Sequence, residues 1–93
     1  MTEPTGSPEL AREREHLDKA RRDIAAGEER IVRQRELIER LRQSQQSVVA
    51  AENLLETLHQ TLQAWRDHRD LILQRIAHLE GQAVTAAGQP PPA

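Results

Sequence analysis

Five aliphatic residues, Leu10, Leu17, Ile24, Ile31 and Ile38, recur at strict seven-residue intervals. A second series follows in steps of three and four: Val48, Ala51, Leu55, Leu58, Leu62, Trp65, Arg69, Ile72, Ile76 and Leu79. On a helix such a period draws a narrow apolar stripe, and a narrow stripe demands a partner helix. The chain is therefore read as two long helices built to pack on other helices, an all-α fold.

Composition points the same way. Trp65 is the only aromatic residue of the 93, so ring packing contributes little to any core. Charged residues make up 30%, and the abundance of Ala, Glu, Arg, Leu and Gln is that of a coiled coil. The net charge of −2 calls for no nucleic acid. Basic residues gather between Arg12 and Arg42, but Glu13, Glu15, Asp18, Asp23, Glu28, Glu29, Glu36 and Glu39 are interleaved with them. That pattern reads as a salt-bridged, solvated surface. With no cysteine, disulfides and thiolate metal sites are excluded. No apolar run is long enough to cross a bilayer, and Met1 to Gly6 does not have the order of a secretory signal. A cytoplasmic protein with no cofactor and no membrane partner is the expectation.

Residues 1–7 read as a disordered tail, followed by a helix start at Ser7-Pro8-Glu9. Ser7 caps free amides, Pro8 suits the first helical position, and Glu9 complements the positive end of the helix dipole. The hairpin is expected over residues 8–80: helix 1 over about 8–42, a turn over about 43–47 and helix 2 over about 47–80. Gln43 to Ser47 breaks the apolar pattern without Gly or Pro, so it is either a turn or a polar stretch of one continuous helix. A turn is favoured, with Ser44 or Ser47 capping the second helix. Gly81 is read as the C-terminal stop, and residues 81–93, ending in Pro90-Pro91-Pro92-Ala93, as a disordered tail.

The two stripes match when paired residue numbers add to 89. Leu41 then meets Val48, Ile38 meets Ala51, Ile31 meets Leu58, Gly27 meets Leu62 and Ile24 meets Trp65. Leu17 meets Ile72, and Leu10 meets Leu79. Three layers are polar on one side: Gln34 on Leu55, Ala20 on Arg69 and Glu13 on Ile76. The centre of this reflection falls between Ser44 and Gln45, inside the polar break, where chance would put it roughly one time in seven. Antiparallel pairing through a short turn follows. Two helices alone are too thin to enclose a core, and Leu37, Leu54, Leu71 and Leu73 lie off the seam. Self-association into a four-helix bundle is expected, with a dimer favoured.

Residues with chemical potential are few. His16, Asp23 and Arg69 fall beside Ala20 and form a candidate polar cluster, either a small anion site or an Arg69–Asp23 ion pair against the core. The four histidines, His16, His59, His68 and His78, have no metal-ligand spacing. Gly27, Leu62 and Trp65 are candidate packing residues, with Gly27 making room for its neighbours. Leu37, Leu54, Leu71 and Leu73 are candidate interface residues. His-Arg-Asp at 68–70 echoes a kinase catalytic loop, but the nucleotide loop and metal-binding residues are missing.

The run His16-Leu17-x-x-Ala20, Asp23-Ile24-Ala25-x-Gly27-Glu28-x-Arg30-Ile31 and Arg33-Gln34-Arg35-x-Leu37-Ile38-x-x-Leu41 resembles a group of short, uncharacterised bacterial helical-hairpin proteins. Ala51-Glu52-x-Leu54-Leu55-x-x-Leu58-x-x-Thr61-Leu62 and His68-Arg69-Asp70-x-Ile72-Leu73 are similar to their second half, so the resemblance spans about residues 16–79. Those relatives often carry a Gly-containing turn, from which Gln43 to Ser47 departs. The resemblance implies a hairpin and no activity. The leading functional expectation is thus a non-enzymatic interaction or adaptor protein. Two others stand beside it: a nucleic-acid-associated regulator using Arg12, Lys19, Arg22, Arg33 and Arg40, and a signalling hairpin phosphorylated on His16 or His68.

Overall fold

A computed structural model describes the backbone of residues 7–88 and the side chains of residues 7–82. The expected tails at 1–6 and 89–93 lie outside the described residues. The chain forms two helices, α1 (Pro8–Gln43) and α2 (Val49–Gly88), packed against each other as an antiparallel hairpin. Its Cα extents of 72 × 28 × 14 Å are those of a single layer of two helices.

α1 begins as its sequence dictates. Ser7 Oγ accepts a hydrogen bond from the Leu10 amide at 3.0 Å, and Pro8 opens the first turn. The end of α1 is a Schellman motif. The Gln46 amide donates to the Leu41 carbonyl at 2.8 Å and the Gln45 amide to the Arg42 carbonyl at 3.0 Å. This closure needs a left-handed residue, and Gln45 supplies it at φ 57°. Four residues later the chain is helical again. The Glu52 amide donates to the Val48 carbonyl at 2.8 Å, and Ser47 Oγ accepts from the Val49 amide at 3.3 Å.

The seam follows the heptads. One cluster near the open end joins Leu10, Leu17 and Ala20 to Ile72 and Ile76, with Leu79 packed on it. A second joins Ile24, Ile31 and Leu62, flanked by Leu55, Leu58 and Trp65. Each buried aliphatic side chain contributes about 1.5–3 kcal/mol. The register with residue numbers adding to 89 holds at Gly27, where an added Cβ would stand 3.3 Å from Leu62 Cδ1.

One flank of the seam is laced by charge. Arg14 pairs with Glu80 at 2.9 Å, Arg66 with Glu28 at 3.2 Å and Arg42 with Glu52 at 2.9 Å. Arg35 approaches His59 Nε2 at 3.4 Å on the same row. Exposed pairs of this kind stabilise by at most about 1 kcal/mol each, so they align the helices more than they hold them.

The expected stop at Gly81 is corrected: α2 continues to Gly88. Gly81 is not left-handed, and an added Cβ would meet nothing within 4 Å. The Gln-Ala-Val-Thr-Ala-Ala run that follows contains three alanines, the strongest helix former, and this offsets one glycine.

Two substitutions test these ends, by thermal and urea melts. Gly81→Ala should stabilise the fold by up to about 1 kcal/mol; a loss would restore the glycine as a left-handed stop. Gln45→Gly should also stabilise, by roughly 0.5–1 kcal/mol, because a side chain in the left-handed region costs roughly 1–2 kcal/mol.

Candidate functional site

The heptad pattern places Ala20 and Arg69 in one layer, with His16 and Asp23 one turn to either side on α1. In the structure Ala20 is buried and Arg69 half-buried at this layer. The expected His16–Asp23–Arg69 cluster is not formed, which corrects that expectation. Asp23 accepts from Lys19 Nζ at 2.8 Å, one turn earlier on its own helix. Arg69 turns along α2, its Nε donating to Asp70 at 3.2 Å. His16 Nδ1 lies 3.7 Å from Glu13. Each side chain finds a partner on its own helix, which requires less side-chain ordering than reaching across the seam.

A different polar group stands at the seam. Glu13 falls on the stripe opposite Ile76, and its Oε1 is buried without a hydrogen-bond partner. Two side chains face it: the Arg75 guanidinium at 3.5 Å from α2 and the His16 ring at 3.7 Å from α1. A shallow groove opens beside it, floored by Leu71 and Leu79 and walled by Glu9, Arg12 and His78. The position of Glu13 on the stripe was readable from the heptads; its pairing with Arg75 was not, because Arg75 lies off the stripe. Among the described residues no cluster of His, Cys, Asp or Glu is arranged to hold a metal ion.

Trp65 is a packing residue. It is half-buried and packs on the second cluster, that of Ile24, Ile31 and Leu62. Lys19 Nζ lies 5.3 Å over its ring, and His68 meets its edge with ring centroids 5.9 Å apart. Lys19, one of the cations of the nucleic-acid reading, faces an indole and a carboxylate. Arg33 pairs with Glu29 on its own helix. All four histidines are exposed.

Among the described residues Gln34 is the one buried polar residue. It reaches across the seam, Nε2 donating to the Ala51 carbonyl at 2.9 Å. The interface candidates divide cleanly. Leu62 is buried and meets Gly27, whereas Leu37, Leu54, Leu71 and Leu73 stay exposed, joined by Val32 and Val49. These two valines are isolated within polar rows, so no periodic signal marked them.

Comparison of this chain with protein-family models, curated proteins and solved structures finds no match.

A double-mutant cycle on Asp23→Ala and Arg69→Met checks the redistribution of partners. Its coupling energy should lie within about 0.5 kcal/mol of zero, as for groups with separate partners. Coupling above about 1.5 kcal/mol would show that the two meet across the seam.

Proposed function

We propose that the protein is a non-enzymatic helical interaction protein of the cytoplasm, acting through self-association of its hairpin into a dimer of four helices. One observation carries this reading. The seam between α1 and α2 is already filled, yet Leu37, Leu54, Leu71 and Leu73 remain between 36% and 50% exposed. A single layer of two helices buries only one stripe of each, and leucines outside that stripe gain cover from a further helix. Two-fold dimers are the commonest closed assembly of identical chains. No described helix is long and apolar enough to cross a membrane, so this surface is not a bilayer span.

The nucleic-acid reading finds less support. Lys19 and Arg33, two of its five cations, are held by Asp23 and Glu29. Nor does any arrangement around His16 or His68 favour phosphoryl transfer over ordinary surface contacts with Glu13 and Trp65.

Sedimentation velocity across the micromolar range tests the proposal. A concentration-dependent shift from about 10.6 kDa to twice that mass is expected. A species that stays monomeric throughout, with a cooperative melt, would overturn it.

A further inference from the structure

We propose that α2 carries a second seam, formed by Ala50, Leu54, Thr57, Thr61, Ala64 and Leu71, and that a second copy of this chain docks there, α2 against antiparallel α2. The inference rests on the self-association proposed above and names its surface and register.

These residues follow the same alternation of four and three as the hairpin seam, one stripe further round α2. All of them are exposed. His68 completes the row, so from Ala50 to Leu71 it contains no Asp, Glu, Lys or Arg. The neighbouring rows on the far flank of α2 and on α1 both carry charge. The opposite flank of α2 carries Glu52, Glu56, Arg66, Asp70 and Glu80. The flank of α1 beside the neutral row carries Arg12, Lys19, Asp23, Arg30, Arg33 and Arg40.

Charge selects the occupant. Docking α1 of a second copy on the neutral row would bury Arg30, Arg33 and Arg40 against Thr and Ala, with nothing to pair them. Stacking α1 on α1 would bring two net-basic rows together. A second α2 brings neutral against neutral and leaves the basic flank of each α1 at the rim of the contact. The row is also self-complementary. When paired numbers add to 125, Leu54 meets Leu71 of the second copy, Thr61 meets Ala64 and His68 meets Thr57, with the two-fold axis between Leu62 and Gln63. Small residues at Thr57, Thr61 and Ala64 let the helices approach, and the leucines close both ends; beyond them Ala50 falls opposite Arg75 of the second copy, a half-exposed side chain at the rim of the contact. On the outer edge Gln60 falls beside Asp67 of the second copy, and Asn53 beside Gln74, so no like charges are opposed. Arg75 ends the neutral run and sets its limit.

The size of the strip sets the strength. It runs roughly 32 Å along α2 and, with its neighbouring rows, is about 15–20 Å wide, giving about 500–600 Å² per copy. Stable complexes bury about 800 Å² per partner, so a reversible dimer in the micromolar range is expected.

The experiment uses the full chain. Leu54→Glu and Leu71→Glu should each weaken the dimer by at least about tenfold in sedimentation equilibrium, with helical content unchanged by circular dichroism. Val32→Glu and Val49→Glu, exposed on the opposite flank, should leave it unchanged. The register is read separately on chains that keep both leucines. Because the chain lacks cysteine, an equal mixture of Thr61→Cys and Ala64→Cys chains, oxidised gently, reports which positions face each other. The mixed disulfide should exceed either homodisulfide by well over the twofold ratio that random pairing of an equal mixture gives. Excess homodisulfide would overturn the register. Dimerisation that survives Leu54→Glu and is lost in Val32→Glu or Val49→Glu would overturn the surface while leaving self-association intact. A wild-type chain that remains monomeric would overturn both proposals and assign the neutral row to a helix of another protein.

Discussion

Everything in this structure depends on burying one narrow stripe from each of two helices. Neither α1 nor α2 has another way to cover Leu10, Leu17, Ile24 and Ile31 or Leu62, Ile72 and Ile76. Each helix alone would rely on propensity, which yields marginal stability; tertiary burial of an apolar face supplies the rest. The antiparallel arrangement follows from length. A turn of five residues between helices of 36 and 40 residues returns the second stripe along the first, and the shared heptad keeps them in contact over the whole layer.

An uninterrupted heptad is ambiguous, since a slip of seven residues restores the pattern. The exceptions remove that ambiguity. Gly27 admits Leu62, Gln34 donates to the Ala51 carbonyl, and Glu13 is faced by Arg75. In a slipped register the Gln34 amide would lose that carbonyl, and a larger residue would stand where Gly27 leaves room. Polar seam residues lower the gross burial and contribute specificity, as single polar residues do in other coiled coils. The turn adds its own constraint, because the Schellman closure at Gln45 leaves the chain a defined exit.

Most of the fold was legible in the sequence because a heptad is a long signal with many repeats. Pairing by reflection placed Gly27 on Leu62 and put Leu17 and Ile72 in one cluster. Helix ends were less legible, because they depend on single residues. Ser7 behaved as a cap should, whereas Gly81 is tolerated inside a helix and Gln45 takes the left-handed place where glycine is usual. The candidate polar site was the least legible. Heptad position says which layer Arg69 occupies but not which way a long side chain turns, and Asp70 beside it competed successfully with Asp23 across the seam. The exposed leucines were visible as departures from the stripe, and the neutral row shared by Leu54 and Leu71 became apparent only once the seam fixed which faces of α2 remain free.

The most direct test of the hairpin is the distance between its two outer faces within one chain. Spin labels on a Glu15→Cys/Gln74→Cys variant, diluted with excess unlabelled chain to suppress contacts between copies, would report it by pulsed dipolar spectroscopy. Both positions are exposed and fall in the same layer. The hairpin predicts a separation of roughly 25–35 Å, one interhelical spacing plus two label arms. One continuous helix through residues 43–47 would place the labels about 90 Å apart, and a distribution centred there would contradict the account.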